Sequence, residues 1–326
     1  MLHFDSAPLR VLYLGGTGTI SASCVRLSVA SGMEVSVLNR GFKDAPSGTE
    51  SLIADVTDEA ALAAVLQDRT FDAVVNFLSF DADDARRKAA FFGPRARQYV
   101  HISSASIYSK PVRQVPITES TPTGPNPALP YATAKWEAER ALRDFPATIV
   151  RPSHTYDATK TVLSGGWTSL ARMLAGKPVI VHGDGTSLWT VTHHDDFARA
   201  FVPLLGHPRT YGEAFQITSD DVLTWDQIAR ALAAALGVTA RIVHVPSDVI
   251  AAADPEWGAG LLGDKAHSMV FDNSKLRSVV PGWRATIPFE RGAREIADWY
   301  LADPARQVVN DKLDALMDKL AADFSG

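Results

Sequence analysis

Arg10-Val11-Leu12-Tyr13-Leu14-Gly15-Gly16-Thr17-Gly18-Thr19-Ile20-Ser21 decides the fold. A short apolar run meets a glycine-rich turn, and a helical pattern follows over 19–31. Gly15, Gly18 and Ser21 recur at three-residue spacing. Glycine at the first two positions lets the backbone turn tightly and approach a ligand closely. The N-terminus of the next helix offers free N–H groups and the positive end of its dipole. The third position calls for a small residue, and Ser21 is small enough. Strand, turn and helix in that order make a seat for a pyrophosphate, with Gly15, Thr17, Gly18, Thr19 and Ile20 as its contacts.

Working outward, buried strands are predicted over 11–14, 35–38, 51–54, 73–77, 99–103 and 148–150. Helices are predicted over 19–31, 57–67, 81–92 and 131–145. Such alternation means right-handed crossovers and a parallel sheet covered on both faces. The expected fold is therefore α/β: a doubly wound parallel sheet of the Rossmann type, with a smaller, discontinuous C-terminal lobe. Residues 1–152 are expected to form the dinucleotide-binding domain, rejoined by a segment at about 190–240. Residues 153–189 and 241–326 are expected to form the substrate lobe. Thr224 caps a helix over 224–236, residues 252–268 read as a loop over a pocket, and 309–322 has helical spacing.

The chain has 326 residues, 46% hydrophobic and 21% charged, which excludes a disordered chain. A net charge of −5 gives no basic field for nucleic acid or an anionic membrane. The one cysteine, Cys24, excludes an internal disulfide and reads as a small core residue. No basic leader with a long apolar run and no span-length apolar stretch is present, so a cytoplasmic protein with a small-molecule substrate is expected.

The second strand ends Leu38-Asn39-Arg40-Gly41. An acidic side chain there would hold the ribose hydroxyls of NAD. Asn39 is uncharged and Arg40 can pair with a 2′-phosphate, so NADP is favoured over NAD. Asp55 and Val56 can meet the adenine edge, and Asp55 can equally cap the next helix.

Tyr131 and Lys135 lie four residues apart, on one helix face. A phenol is a poor base at neutral pH, but a nearby ammonium favours the phenolate. Lys135 can also reach the nicotinamide ribose. The fifth strand ends His101-Ile102-Ser103-Ser104-Ala105-Ser106-Ile107-Tyr108. Strand carboxyl ends face the ligand crevice, so Ser104 is placed to hold a substrate oxygen, with Ser106 as runner-up. His193-His194-Asp195-Asp196 invites a metal. Adjacent histidines on a strand point to opposite faces, so no metal is expected, and Asp196 is expected to cap a helix starting at Phe197. Trp167, Trp257 and Trp283 read as core residues.

On these residues the chain resembles the extended short-chain dehydrogenases/reductases of the NAD-dependent epimerase/dehydratase family, which includes UDP-galactose 4-epimerase. The resemblance rests on the glycine turn, the run Ser103 to Tyr108, the pair Tyr131 and Lys135, and Arg151-Pro152-Ser153-His154-Thr155-Tyr156. Gly183-Asp184-Gly185-Thr186 and His193-His194-Asp195-Asp196 add to it. It implies that Pro152, His154 and Thr155 contact the nicotinamide. It also implies a homodimer built on 81–92 and 131–145. Two departures narrow the substrate. Ala105-Ser106 follows Ser104 where dehydratases carry Asp-Glu, which removes the acid–base pair of a 4,6-dehydratase. Trp189 stands where a diphosphate-gripping arginine is expected, and no arginine lies near Leu262. An indole can stack but cannot neutralise a diphosphate. His154, Ser106 and Trp189 remain as substrate contacts. The expected function is an NAD(P)-dependent oxidoreductase acting on a hydroxyl or carbonyl of a sugar or related small molecule. The alternatives are an epimerase that retains its NAD and a non-catalytic dinucleotide sensor or RNA-associated protein.

Overall fold

The structure, a computed structural model, describes residues 7–324. The first half alternates strands β1 Arg10–Leu14, β2 Glu34–Asn39, β3 Glu50–Ile53, β4 Phe71–Asn76, β5 Ala96–Ile102 and β6 Thr148–Pro152 with helices. The helices are α1 Thr19–Ala30, α2 Glu59–Leu66, α3 Ala82–Phe92 and α4 Pro130–Ala141. Then come β7 His154–Tyr156, α5 Trp167–Leu174, β8 Pro178–His182, β9 Leu188–Trp189, β10 Val191–His193, α6 His194–Phe201 and β11 Ala214–Ile217. The remainder is β12 Leu223–Thr224, α7 Trp225–Ala235, β13 Arg241–Val245, α8 Ser247–Ala253, α9 Pro255–Gly260, α10 Ser274–Val279, α11 Phe289–Leu301 and α12 Asp311–Phe324.

Seven strands form one sheet in the order β11-β6-β5-β4-β1-β2-β3. Every neighbouring pair is parallel. A parallel sheet covered on both faces needs apolar side chains on both, which is why β1 reads as an unbroken apolar run. Val11 and Tyr13 join Val37, Phe197 and Phe201 on one face. Leu12 and Leu14 join Leu38, Leu62 and Phe92 on the other. Chain direction across the sheet reverses between β1 and β4, and the crevice at their carboxyl ends is where such sheets bind ligands.

The smaller lobe has its own parallel pair, β8 with β13. Helices α5, α7 and α11 bury Leu170, Ile228, Leu232 and Ile296 in a second apolar cluster. Helix α12 is pinned by Arg172, which is buried and donates to Asp314 and Asp318. Among the described residues no helix is long and apolar enough to cross a membrane. Trp167, Trp257 and Trp283 all pack within apolar clusters.

Two sequence expectations fail here. The 252–268 stretch is not a loop. Asp254 caps α9 by accepting the Trp257 N–H at 3.0 Å, and Pro255 occupies the first turn, where its missing N–H costs nothing. A π-helical turn, Leu261–Lys265, follows. Helix α6 begins at His194 rather than Phe197, because the His193 Nδ1 accepts the Asp195 N–H at 3.2 Å and caps it. The fully buried Asp196 carboxylate instead receives the N–H groups of Thr286 and Ile287.

Phe201 is fully buried and stacks on Phe197, with ring centroids 5.8 Å apart, where α6 covers the sheet beside α1. Phe201→Ala should destabilise the chain by about 3–5 kcal/mol. Denaturant unfolding should show a lower midpoint with an unchanged slope.

Candidate active site

A groove of about 1010 Å³ runs along the carboxyl ends of the central strands. Gly15, Thr17, Gly18, Thr19, Ile20, Asn39, Arg40, Asp55, Val56, Pro152 and Thr155 all line it. Gly15 has φ +75°, a conformation that favours glycine. A Cβ on Gly16 would stand 2.7 Å from Val37, so only glycine lets the turn lie this close to the sheet.

The residues present fit a dinucleotide. Asn39 uses its carbonyl to accept the Gly41 N–H at 2.7 Å, while its buried amide nitrogen has no hydrogen-bond partner among the described residues. A buried donor left open at the end of β2 is suited to a ligand hydroxyl. Asp55 is occupied by the Thr57 N–H and hydroxyl, which hold its carboxyl below the usual range. It caps no helix, since Asp58 caps α2. Arg40 is exposed and lies over the Phe42 ring.

Lys135 rises from α4 to the groove floor. Its ammonium donates to the carbonyls of Ser79 at 2.7 Å and Ile102 at 3.0 Å, and lies over the Phe80 ring. An ammonium has three N–H groups, so one is left for a ligand. Burial, helped by the neighbouring Lys88, pulls its pKa down to about 8. Lys88 is itself paired with Asp84 at 2.6 Å and bonded to the Leu78 carbonyl.

A smaller cavity of about 250 Å³ opens off the groove. Ser104, Tyr131, Pro152, Ser153 and Thr155 line both, so they form the shared wall. Tyr131 and Ser104 stand side by side there, and the Ser104 hydroxyl is 2.8 Å from that of Ser106. The expected downward pull of Lys135 on this phenol is absent. Burial pushes its pKa up, the Ser104 hydroxyl opposes this, and the Asp264 carboxylate adds to the rise. The residue as a whole is still 47% exposed, so its outer edge remains open to solvent.

His154, expected against the nicotinamide, lines the smaller cavity and not the groove. Its Nδ1 accepts the Trp189 indole N–H at 3.2 Å, and burial lowers its pKa to about 3, so it stays neutral. Trp189 is buried, lines the cavity and packs on Trp225. The histidines 193 and 194 do not point to opposite faces. The strand ends between them, and their rings are 4.4 Å apart. His193 Nδ1 is occupied by its capping bond and Nε2 by Glu295 at 2.9 Å.

The sequence pattern placed neither Asp264 nor Lys265 at the site. Both line the smaller cavity from the π-helical turn. Their signal, a charged pair inside a glycine-rich segment, is visible only once that segment is seen as helical.

The model of the NAD dependent epimerase/dehydratase family matches residues 11–218. The chain is 28% identical over 317 residues to 2'-dehydrokanamycin reductase of Streptomyces kanamyceticus, covering 90% of this chain and 85% of that one. It is 27% identical over 257 residues to the chloroplast stem-loop binding protein of 41 kDa b of Arabidopsis thaliana, covering 73% and 66%. The UDP-glucose 4-epimerase of Bifidobacterium longum, solved with NAD+ and UDP, superposes with a TM-score of 0.69 at 21% identity, over 92% of this chain and 100% of that one. With its glycine turn, its seven-stranded parallel sheet and a family match over more than half its length, the chain belongs to the NAD-dependent epimerase/dehydratase family.

Proposed function

We propose that the protein is a reductase that delivers a hydride and a proton to the carbonyl of a compact polyhydroxylated substrate, with NADP preferred over NAD. The observation that carries this reading is that Tyr131 and Ser104 lie together on the wall shared by the two cavities. When bound, the dinucleotide supplies the hydride. Tyr131 then gives its phenolic proton to the carbonyl oxygen. A phenol raised above its ordinary value is fully protonated at neutral pH, which suits a proton donor better than a base. Ser104 holds the same oxygen with its hydroxyl. Lys135 remains charged below pH 8, and its third N–H is free for the ribose. The reductive direction is also that of the Streptomyces relative by its name. Arg40 and Lys43, both exposed on the groove wall, are the groups that would meet a 2′-phosphate.

Tyr131→Phe should abolish turnover while leaving dinucleotide binding intact, and Ser104→Ala should cost about 10²-fold or more in kcat. The purified protein should consume NADPH, bind it more tightly than NADH, and lose that preference as Arg40→Ala. Tightly held, stoichiometric NAD would instead identify an epimerase. Dinucleotide binding with turnover unaffected by Tyr131→Phe would remove the tyrosine mechanism.

The Lys135 pKa lies below its unfolded value of about 10.4. The unfolded chain therefore holds this proton more tightly between about pH 8 and 10, and the group's penalty on folding is relieved as pH rises through that window. Function runs the opposite way. Dinucleotide affinity should fall as pH passes 8, and Lys88→Met should move that midpoint upward by removing the second ammonium. A flat affinity from pH 7 to 9.5 would contradict the role given to Lys135.

A further inference from the structure

The smaller cavity contains a charge that the proton-transfer scheme does not use. Lys265 lines it from the π-helical turn, a form common at functional sites. The turn is firmly held. The Lys265 carbonyl accepts three hydrogen bonds, from His182 Nε2 at 3.0 Å, Ser187 Oγ at 3.1 Å and Trp225 Nε1 at 3.2 Å. A carbonyl only accepts, so His182 carries its proton on Nε2. The neighbouring Asp264 is paired with Lys110 at 3.0 Å, and both side chains are largely buried. The Asp264 carboxylate is thus paired with Lys110 and acts on Lys265 only through its field. Among the described residues no hydrogen bond or ion pair engages the Lys265 ammonium, and burial lowers its pKa against the opposing pull of Asp264. Of the other titratable cavity residues, His154 is neutral, Tyr131 is protonated and the Asp264 carboxylate is paired with Lys110.

We infer that Lys265 is the specificity-determining cation of this cavity, and that the substrate is a single-ring or similarly compact polyol carrying a carboxylate. The inference rests on the reductase reading of the same site. The volume of about 250 Å³ admits one sugar ring. A single ammonium matches one carboxylate, while a diphosphate would call for more donors than Trp189 and its neighbours offer. The same ammonium opposes a polycationic substrate of the kind the name of the Streptomyces relative indicates.

The test is calorimetric titration of the NADP+-loaded protein with D-galacturonate, D-galactose and D-galactosamine, which are alike in shape and differ in charge. The uronate should bind about tenfold or more tighter than either of the others. Lys265→Met should erase that preference and Lys265→Arg should keep it, with NADP+ uptake unchanged in both. Failure of the uronate to bind, equal affinity for the three sugars, or a preference that survives Lys265→Met overturns the inference. Titration of the same samples with NADP+ and with NAD+ separates two failures. Uptake of neither dinucleotide by the native chain removes the cofactor reading and this inference with it, whereas intact uptake without uronate preference removes this inference alone.

Discussion

The ammonium of Lys135, almost completely buried, is held between two backbone carbonyls at the carboxyl edge of the sheet, and the site depends on that placement. Strands β4 and β5 pair in parallel, so the carbonyl of Ser79, just past β4, and that of Ile102, ending β5, come together there. A charge this far from water must be met by fixed dipoles, and the two carbonyls supply them. Reaching them fixes the rotation of α4 about its axis. Tyr131, one turn earlier on that helix, is then carried to the wall that Ser104 also lines. Lys88 does similar work from α3 by bonding the Leu78 carbonyl, so the segment between β4 and α3 is bracketed by two ammoniums.

The lysine is not the phenol's partner. Its ammonium is bonded to two carbonyls and lies over Phe80. The phenol responds instead to its own burial, to Ser104 and to Asp264. Helix spacing alone put both groups on one face correctly, but it carried no information about which acceptors the ammonium would find.

The glycine turn and the strand rhythm were legible because each depends on residues close in sequence. Val11 to Leu14 had to be apolar throughout, and Gly15 had to be glycine. The 252–268 segment was not, because its breakers have tertiary reasons. A Cβ on Gly258 would stand 2.3 Å from Ala251, and one on Gly263 would stand 2.5 Å from Leu129. These glycines mark close packing of α9 on α8 and of the π-helical turn on the chain leading into α4. Read along the sequence they resemble a loop, and with them Asp264 and Lys265 were lost from view as wall residues. The pair His193 and His194 misled for a related reason, since strand alternation applies only while the strand continues.

The shared wall also accounts for the division between chemistry and recognition. Ser104 and Tyr131 face both cavities, so the reduction proposed above places its reacting oxygen where they meet. Beyond that wall the Trp189 indole donates to His154 Nδ1, which leaves the histidine proton on Nε2 and makes that boundary neutral. The indole itself is held by Trp225, whose own N–H is committed to the Lys265 carbonyl. One chain of contacts therefore runs from the neutral aromatic boundary to the turn that carries the cavity's charge. A substitution at Trp225 would disturb both together, which makes the shape of the cavity and its charge a single property of the lobe.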